Sequence, residues 1–207
     1  MAKLYFRYGA MNSGKSTGLL QAAFNYEERG QRVLLAKPAV DTKGDRTIVS
    51  RLGVSREVDF TIHPDEPVRS LFAKHAAGDD PDALVTHVDV EPVACLLIDE
   101  AQFLTREQVD DLLRIAVLDS VPVLAYGIRT DFRTDAFPGA ARLMELAHTL
   151  EELKTICRCG RKAVFNTRRV GETFVFDGDQ VAIDGQDVSY ESLCATCYLE
   201  VSGGRLG

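Results

Sequence analysis

The sequence predicts an α/β fold: a doubly wound, mostly parallel sheet followed by a second, small domain. Three observations carry that prediction. Apolar runs of strand length alternate with segments of helical periodicity through the first 150 residues. The run Leu4-Tyr5-Phe6-Arg7-Tyr8 leads through a glycine-bounded loop into a helix candidate. From Cys157 onward, short β-like runs alternate with Gly and Asp turns. The division falls at 1–150 and 151–207.

The loop is Gly9-Ala10-Met11-Asn12-Ser13-Gly14-Lys15-Ser16. G-x-x-x-x-G-K-[ST] between a strand and a helix marks a P-loop. Its glycines let backbone N–H groups turn inward beside a helix N-terminus, so backbone dipoles hold a polyphosphate. Lys15 then reaches the β/γ-phosphates, and the Ser16 hydroxyl ligates the Mg²⁺ that bridges them. The helix behind it, over 15–29, places Leu19, Leu20, Ala23 and Tyr26 on one face and stops at Gly30.

Residues 31–36 read as a buried strand, broken at Lys37-Pro38. Up to Asp89 the pattern is irregular, with only Val68 to Ala77 helical. Val93-Ala94-Cys95-Leu96-Leu97-Ile98-Asp99-Glu100 is an apolar run ending in two acids, which suits a central parallel strand meeting the ligand crevice. It reads as a Walker B element, with Asp99 toward Mg²⁺ and Glu100 toward the acceptor proton or an attacking water. A helix follows over 105–117, opened by a capping box of Thr105 and Gln108. Residues 121–126 form another strand, and 138–150 a helix with Pro138 at its start.

At 207 residues the chain can bury one full core and a small appendage, and its composition is that of a soluble globular protein. No apolar run approaches a membrane span, and a loop beginning at residue 9 leaves no room for a presequence. A cytoplasmic protein is expected. The formal net charge of −7 opposes a nucleic-acid surface. Cys157, Cys159, Cys194 and Cys197 form two pairs that suit a four-thiolate, structural Zn²⁺ site, and Cys95 reads as a buried thiol.

Together these pieces resemble the type II thymidine kinases, the family built on a RecA-like domain with a zinc-bound lasso. The resemblance covers nearly the whole chain. It rests on the P-loop with its Met11, on Lys37-Pro38-Ala39-Val40-Asp41-Thr42, and on Asp99-Glu100-Ala101-Gln102-Phe103. It rests also on Tyr126 to Arg133 with Phe137, on Leu153 to Gly160, and on Cys194 and Cys197. Where the family commonly carries arginine after Asp41-Thr42, this chain has Lys43, and Arg51 is a candidate substitute.

The resemblance implies γ-phosphoryl transfer from ATP to the 5′-hydroxyl of thymidine, with Glu100 as base and Lys15 and Mg²⁺ stabilising charge. Gly9, Ala10, Met11, Asn12, Ser13, Gly14, Lys15, Ser16, Asp99, Glu100, Ala101 and Gln102 would form the nucleotide side. Phe132 would stack on the thymine, Met11, Phe103, Ile128 and Phe137 would surround its methyl side, and Val181 and Tyr190 would lie on the lasso. A homotetramer inhibited by dTTP is implied as well. A P-loop, a D-E-A-Q box and a zinc ribbon are also the parts of a nucleic-acid-dependent ATPase. The acidic charge and the absence of a second RecA-like half oppose that reading.

Overall fold

A computed structural model describes residues 1–39, 46–78, 90–180 and 188–206. Along the chain run β1 (Leu4–Tyr8), α1 (Lys15–Glu27), β2 (Arg32–Pro38), β3 (Thr47–Val49), β4 (Ser55–Glu57), β5 (Phe60–Ile62), α2 (Val68–Ala77) and β6 (Val93–Ile98). A single 3₁₀ turn, Ala101–Phe103, precedes α3 (Arg106–Leu118), β7 (Val123–Gly127), α4 (Pro138–Leu146) and β8 (Thr149–Glu152). The last part holds β9 (Thr155–Ile156), β10 (Lys162–Ala163), β11 (Phe165–Val170), β12 (Thr173–Val175), β13 (Val188–Leu193) and α5 (Ala195–Ser202).

The central sheet has six strands in the order β5-β2-β6-β7-β1-β8, all paired in parallel. Its inner strands are apolar on both faces because each face carries helices. Along β2, Leu34 and Ala36 join the core under α2, α3 and α4, whereas Val33 and Leu35 join the core under α1. β6 alternates in the same way, with Leu96 and Ile98 on one side and Cys95 and Leu97 on the other. Beyond β8 the character is antiparallel: a β9–β10 hairpin and a β12-β11-β13 sheet. A third, small core forms there around Cys157, Leu193, Cys194, Cys197 and Tyr198.

Three local expectations change. β2 runs through Lys37-Pro38, because Pro38 lies at the strand end and Ala39 N–H already donates to the Ile62 carbonyl of β5 (2.8 Å). The helix expected to reach residue 150 ends at Leu146. Ala147 turns extended, with ψ at 135°, and the open edge of β1 takes residues 149–152 as β8. The stretch read as irregular before Val68 contains β3, β4 and β5, each three residues long and too short to show a period. The helix over 68–77 and the Thr105–Gln108 capping box are present as expected.

Candidate active site

Strand order brings the site together. The C-terminal ends of β1 and β6 flank β7, so the P-loop and the acidic pair face each other across the end of β7. The loop must pass close to its neighbours. A Cβ on Gly9 would come within 2.5 Å of the Leu153 carbonyl oxygen, and one on Gly127 within 2.6 Å of Gln102 Oε1, so neither position has room for a side chain. Gly14 has φ 77° and opens α1 from a left-handed conformation that glycine adopts without strain.

Lys15 is buried, and its Nζ donates to the Ala10 carbonyl at 3.0 Å and to Ser13 Oγ at 3.5 Å. Desolvation lowers its pKa, while the Glu100 and Asp99 charges oppose that change and the Arg51 charge adds to it. Ser16 Oγ donates to Asp99 Oδ2 at 3.1 Å. The second oxygen, Asp99 Oδ1, is buried with no hydrogen-bond partner among the described residues. Burial first and the neighbouring Glu100 second push the Asp99 carboxyl up to about 6. A buried carboxylate with one unpartnered oxygen beside a serine hydroxyl is a donor set that fits Mg²⁺, a hard cation that takes oxygen ligands.

Glu100 has a left-handed backbone, with φ 50°, and its charge acts on both Lys15 and Asp99. Its carboxylate accepts a hydrogen bond from Gln102 Nε2, and Gln102 Oε1 accepts the Ile128 N–H at 3.1 Å. Gln102 therefore ties the acidic turn to the end of β7. Ala101 and Gln102 are themselves enclosed.

Of the residues expected against the base, Ile128 and Phe137 are buried in the large core, with Met11 and Phe103 packed against it. Phe103 and Phe137 meet edge to face at 5.3 Å. Phe132 is enclosed a little apart, with the Arg168 guanidinium 3.8 Å from its ring centroid. Arg168 Nε donates to Tyr190 Oη at 3.2 Å, so Phe132, Arg168 and Tyr190 form one stack. Val181 and Val40 to Lys43 lie outside the described residues. No motif marks Arg168, nor Asn166 and Ser192, which bond the P-loop from the small sheet. Only the polar positions of a short strand pair could have marked them.

The four cysteines beyond residue 150 converge, their sulfurs all within 4.8 Å of one another. Cys159 and Cys194 sulfurs are 3.6 Å apart, too far for a disulfide and close to the roughly 3.8 Å edge of a tetrahedron with 2.3 Å Zn–S bonds. The cluster can hold a structural metal ion, and four soft thiolates suit zinc. The Cys197 N–H points at Cys194 Sγ and is the main reason that thiol is held down at about 6.

A family model described as thymidine kinase matches residues 2–198. A thymidine kinase of Legionella pneumophila (strain Paris) is 46% identical over 210 residues, covering 100% of this chain and 92% of its own. One from Idiomarina loihiensis is 47% identical, covering 99% and 100%. One from Ruegeria pomeroyi is 43% identical, covering 98% and 96%.

Proposed function

Because this chain belongs to the thymidine kinase family, we propose that it transfers the γ-phosphoryl group of ATP to the 5′-hydroxyl of thymidine, releasing dTMP and ADP. The observation that carries this reading is the meeting of Lys15, Ser16 and Asp99 at one end of the sheet, with Glu100 held beside them by Gln102.

On nucleotide binding, Lys15 exchanges the Ala10 carbonyl for the β/γ-phosphates, and loop N–H groups from Asn12 to Ser16 turn toward the phosphate chain. Ser16 and Asp99 would hold Mg²⁺, which would supply positive charge against the phosphates. Glu100, oriented by Gln102, accepts the 5′-hydroxyl proton as that oxygen bonds to the γ-phosphorus and the bond to the β–γ bridging oxygen breaks. Met11, Phe103, Ile128 and Phe137 form the apolar wall toward the 5-methyl group. Phe132 stacks on the base, for which Arg168 must leave the ring it now covers. The segment from Val181 to Tyr190 closes over the base and keeps water from the γ-phosphate.

Residues 1–150 form the nucleotide-binding domain and 151–207 a zinc-held lasso domain. The enzyme works in cytoplasmic nucleoside salvage as a homotetramer inhibited by dTTP, with neither nucleic acid nor membrane as partner. Among the described residues, no helix is long and apolar enough to cross a membrane. The test is ADP release from Mg-ATP across a panel of pyrimidine deoxynucleosides. Turnover with thymidine and weaker turnover with deoxyuridine are expected. Turnover stimulated only by added DNA or RNA would overturn the reading in favour of a nucleic-acid-dependent ATPase.

A further inference from the structure

Asn166 sits almost fully buried on β11, in a strand pair that the phosphate chemistry above does not use. Its Oδ1 accepts the Met11 N–H at 2.7 Å, and its Nδ2 donates to the Thr130 carbonyl at 3.0 Å. Met11 lies inside the P-loop. Thr130 lies midway between Ile128 and Phe132, in the segment assigned to the nucleoside. In the β11–β13 register Asn166 stands directly opposite Ser192, so the two side chains share a face. Ser192 Oγ donates to the Met11 carbonyl at 2.5 Å. The cross-strand pair thus grips Met11 by both of its backbone groups.

The choice of an amide is chemically constrained. At this spacing one end must accept a hydrogen bond and the other must donate one. A carboxylate would set negative charge against the Thr130 carbonyl, and an aliphatic side chain would leave two half-buried backbone groups without these partners. With Met11 N–H taken up by Asn166, the amides that remain for phosphate are those nearer the helix. β13 runs into Cys194 two residues after Ser192, so the cysteine cluster fixes the strand that carries half of the grip.

We propose that Asn166 is a positioning residue that yokes the phosphate-donor loop to the nucleoside segment, with Ser192 completing the grip. This rests on the phosphoryl-transfer reading. A shift of about 1 Å between reacting groups can cost on the order of 100-fold in rate without loss of either substrate. Removing the yoke should therefore appear in kcat, and not in the affinity of each substrate measured alone.

The experiment compares the full-length wild type with Asn166→Leu, Asn166→Asp and Ser192→Ala, with zinc content and Tm measured for each. Expected are kcat values about 10- to 100-fold lower for Asn166→Leu and Asn166→Asp, and about 3- to 10-fold lower for Ser192→Ala. Dissociation constants for Mg-ATP alone and for thymidine alone, read by calorimetry, should stay within about threefold. Asn166→Asp keeps the acceptor for Met11 but loses the donor to Thr130, so a wild-type kcat in that variant overturns the bridge. A raised KM at unchanged kcat overturns it too, since it marks uniform binding rather than positioning. If Asn166→Leu loses its zinc or its fold, Ser192→Ala decides, and an unchanged kcat there sinks the proposal. A wild type with no thymidine-dependent turnover instead removes the phosphoryl-transfer reading itself.

Discussion

At the scale of single residues, the proposed reaction gives the two neighbouring carboxylates separate tasks, and their surroundings differ: Asp99 is buried beside Ser16, whereas Glu100 accepts a hydrogen bond from Gln102. Glu100→Gln should lower kcat by about 10²- to 10⁴-fold while thymidine still binds, as read by steady-state kinetics beside calorimetry. Asp99 makes the opposite trade. Its native carboxyl titrates near 6 against an ordinary 3.8, so between those values the folded protein keeps a proton the unfolded chain has released. Stability from this group is therefore present at low pH and lost as pH rises through 6. Without Mg²⁺, Asp99→Asn should raise Tm at pH 7 by a few degrees, each kcal/mol being about 2–4 °C in a domain this large, and the gain should vanish near pH 4. A variant melting lower than wild type at pH 7 would refute that account. The place of Asp99 and Glu100 at the end of β6 was legible because the apolar run before them has the length and burial of a central strand. The linking role of Gln102 was not, since it depends on the left-handed backbone at Glu100 and on Ile128, 26 residues away.

At the scale of elements, the long periodic pieces were readable and the short ones were not. α3 carries its own start signal: Thr105 Oγ1 accepts the Gln108 N–H, and Gln108 Oε1 accepts the Thr105 N–H. Gln108 Nε2 also reaches the His63 carbonyl at 2.7 Å, so the cap joins α3 to the segment before α2. Thr105→Ala should cost about 1 kcal/mol in urea unfolding, with kcat within about twofold of wild type. By contrast, β8 was mistaken for the end of a helix. Its identity is set by the unpaired edge of β1, more than 140 residues earlier, and nothing local to residues 149–152 announces that edge.

At the scale of the molecule, the cysteine cluster, the antiparallel sheet and the P-loop form one mechanical chain. Thr155 Oγ1 adds a third contact, to the Asn12 carbonyl at 3.4 Å. Purified protein should hold about one zinc per chain, and stripping it with a chelator should abolish turnover. Far-ultraviolet dichroism should meanwhile keep most of the helical signal of α1 to α4. Full activity in metal-free protein would remove zinc from the account. The place of β1 between β7 and β8 bears on how the chain is made. Among the described residues, β1 pairs as a strand with β7 and β8, whose residues are made more than a hundred positions later. At a synthesis rate of about 5–20 residues per second, its aromatic edge waits on the order of ten seconds for a partner. The nascent chain therefore carries Leu4 to Tyr8 unpaired through much of its synthesis, and a chaperone that shields those residues would guard an open strand edge.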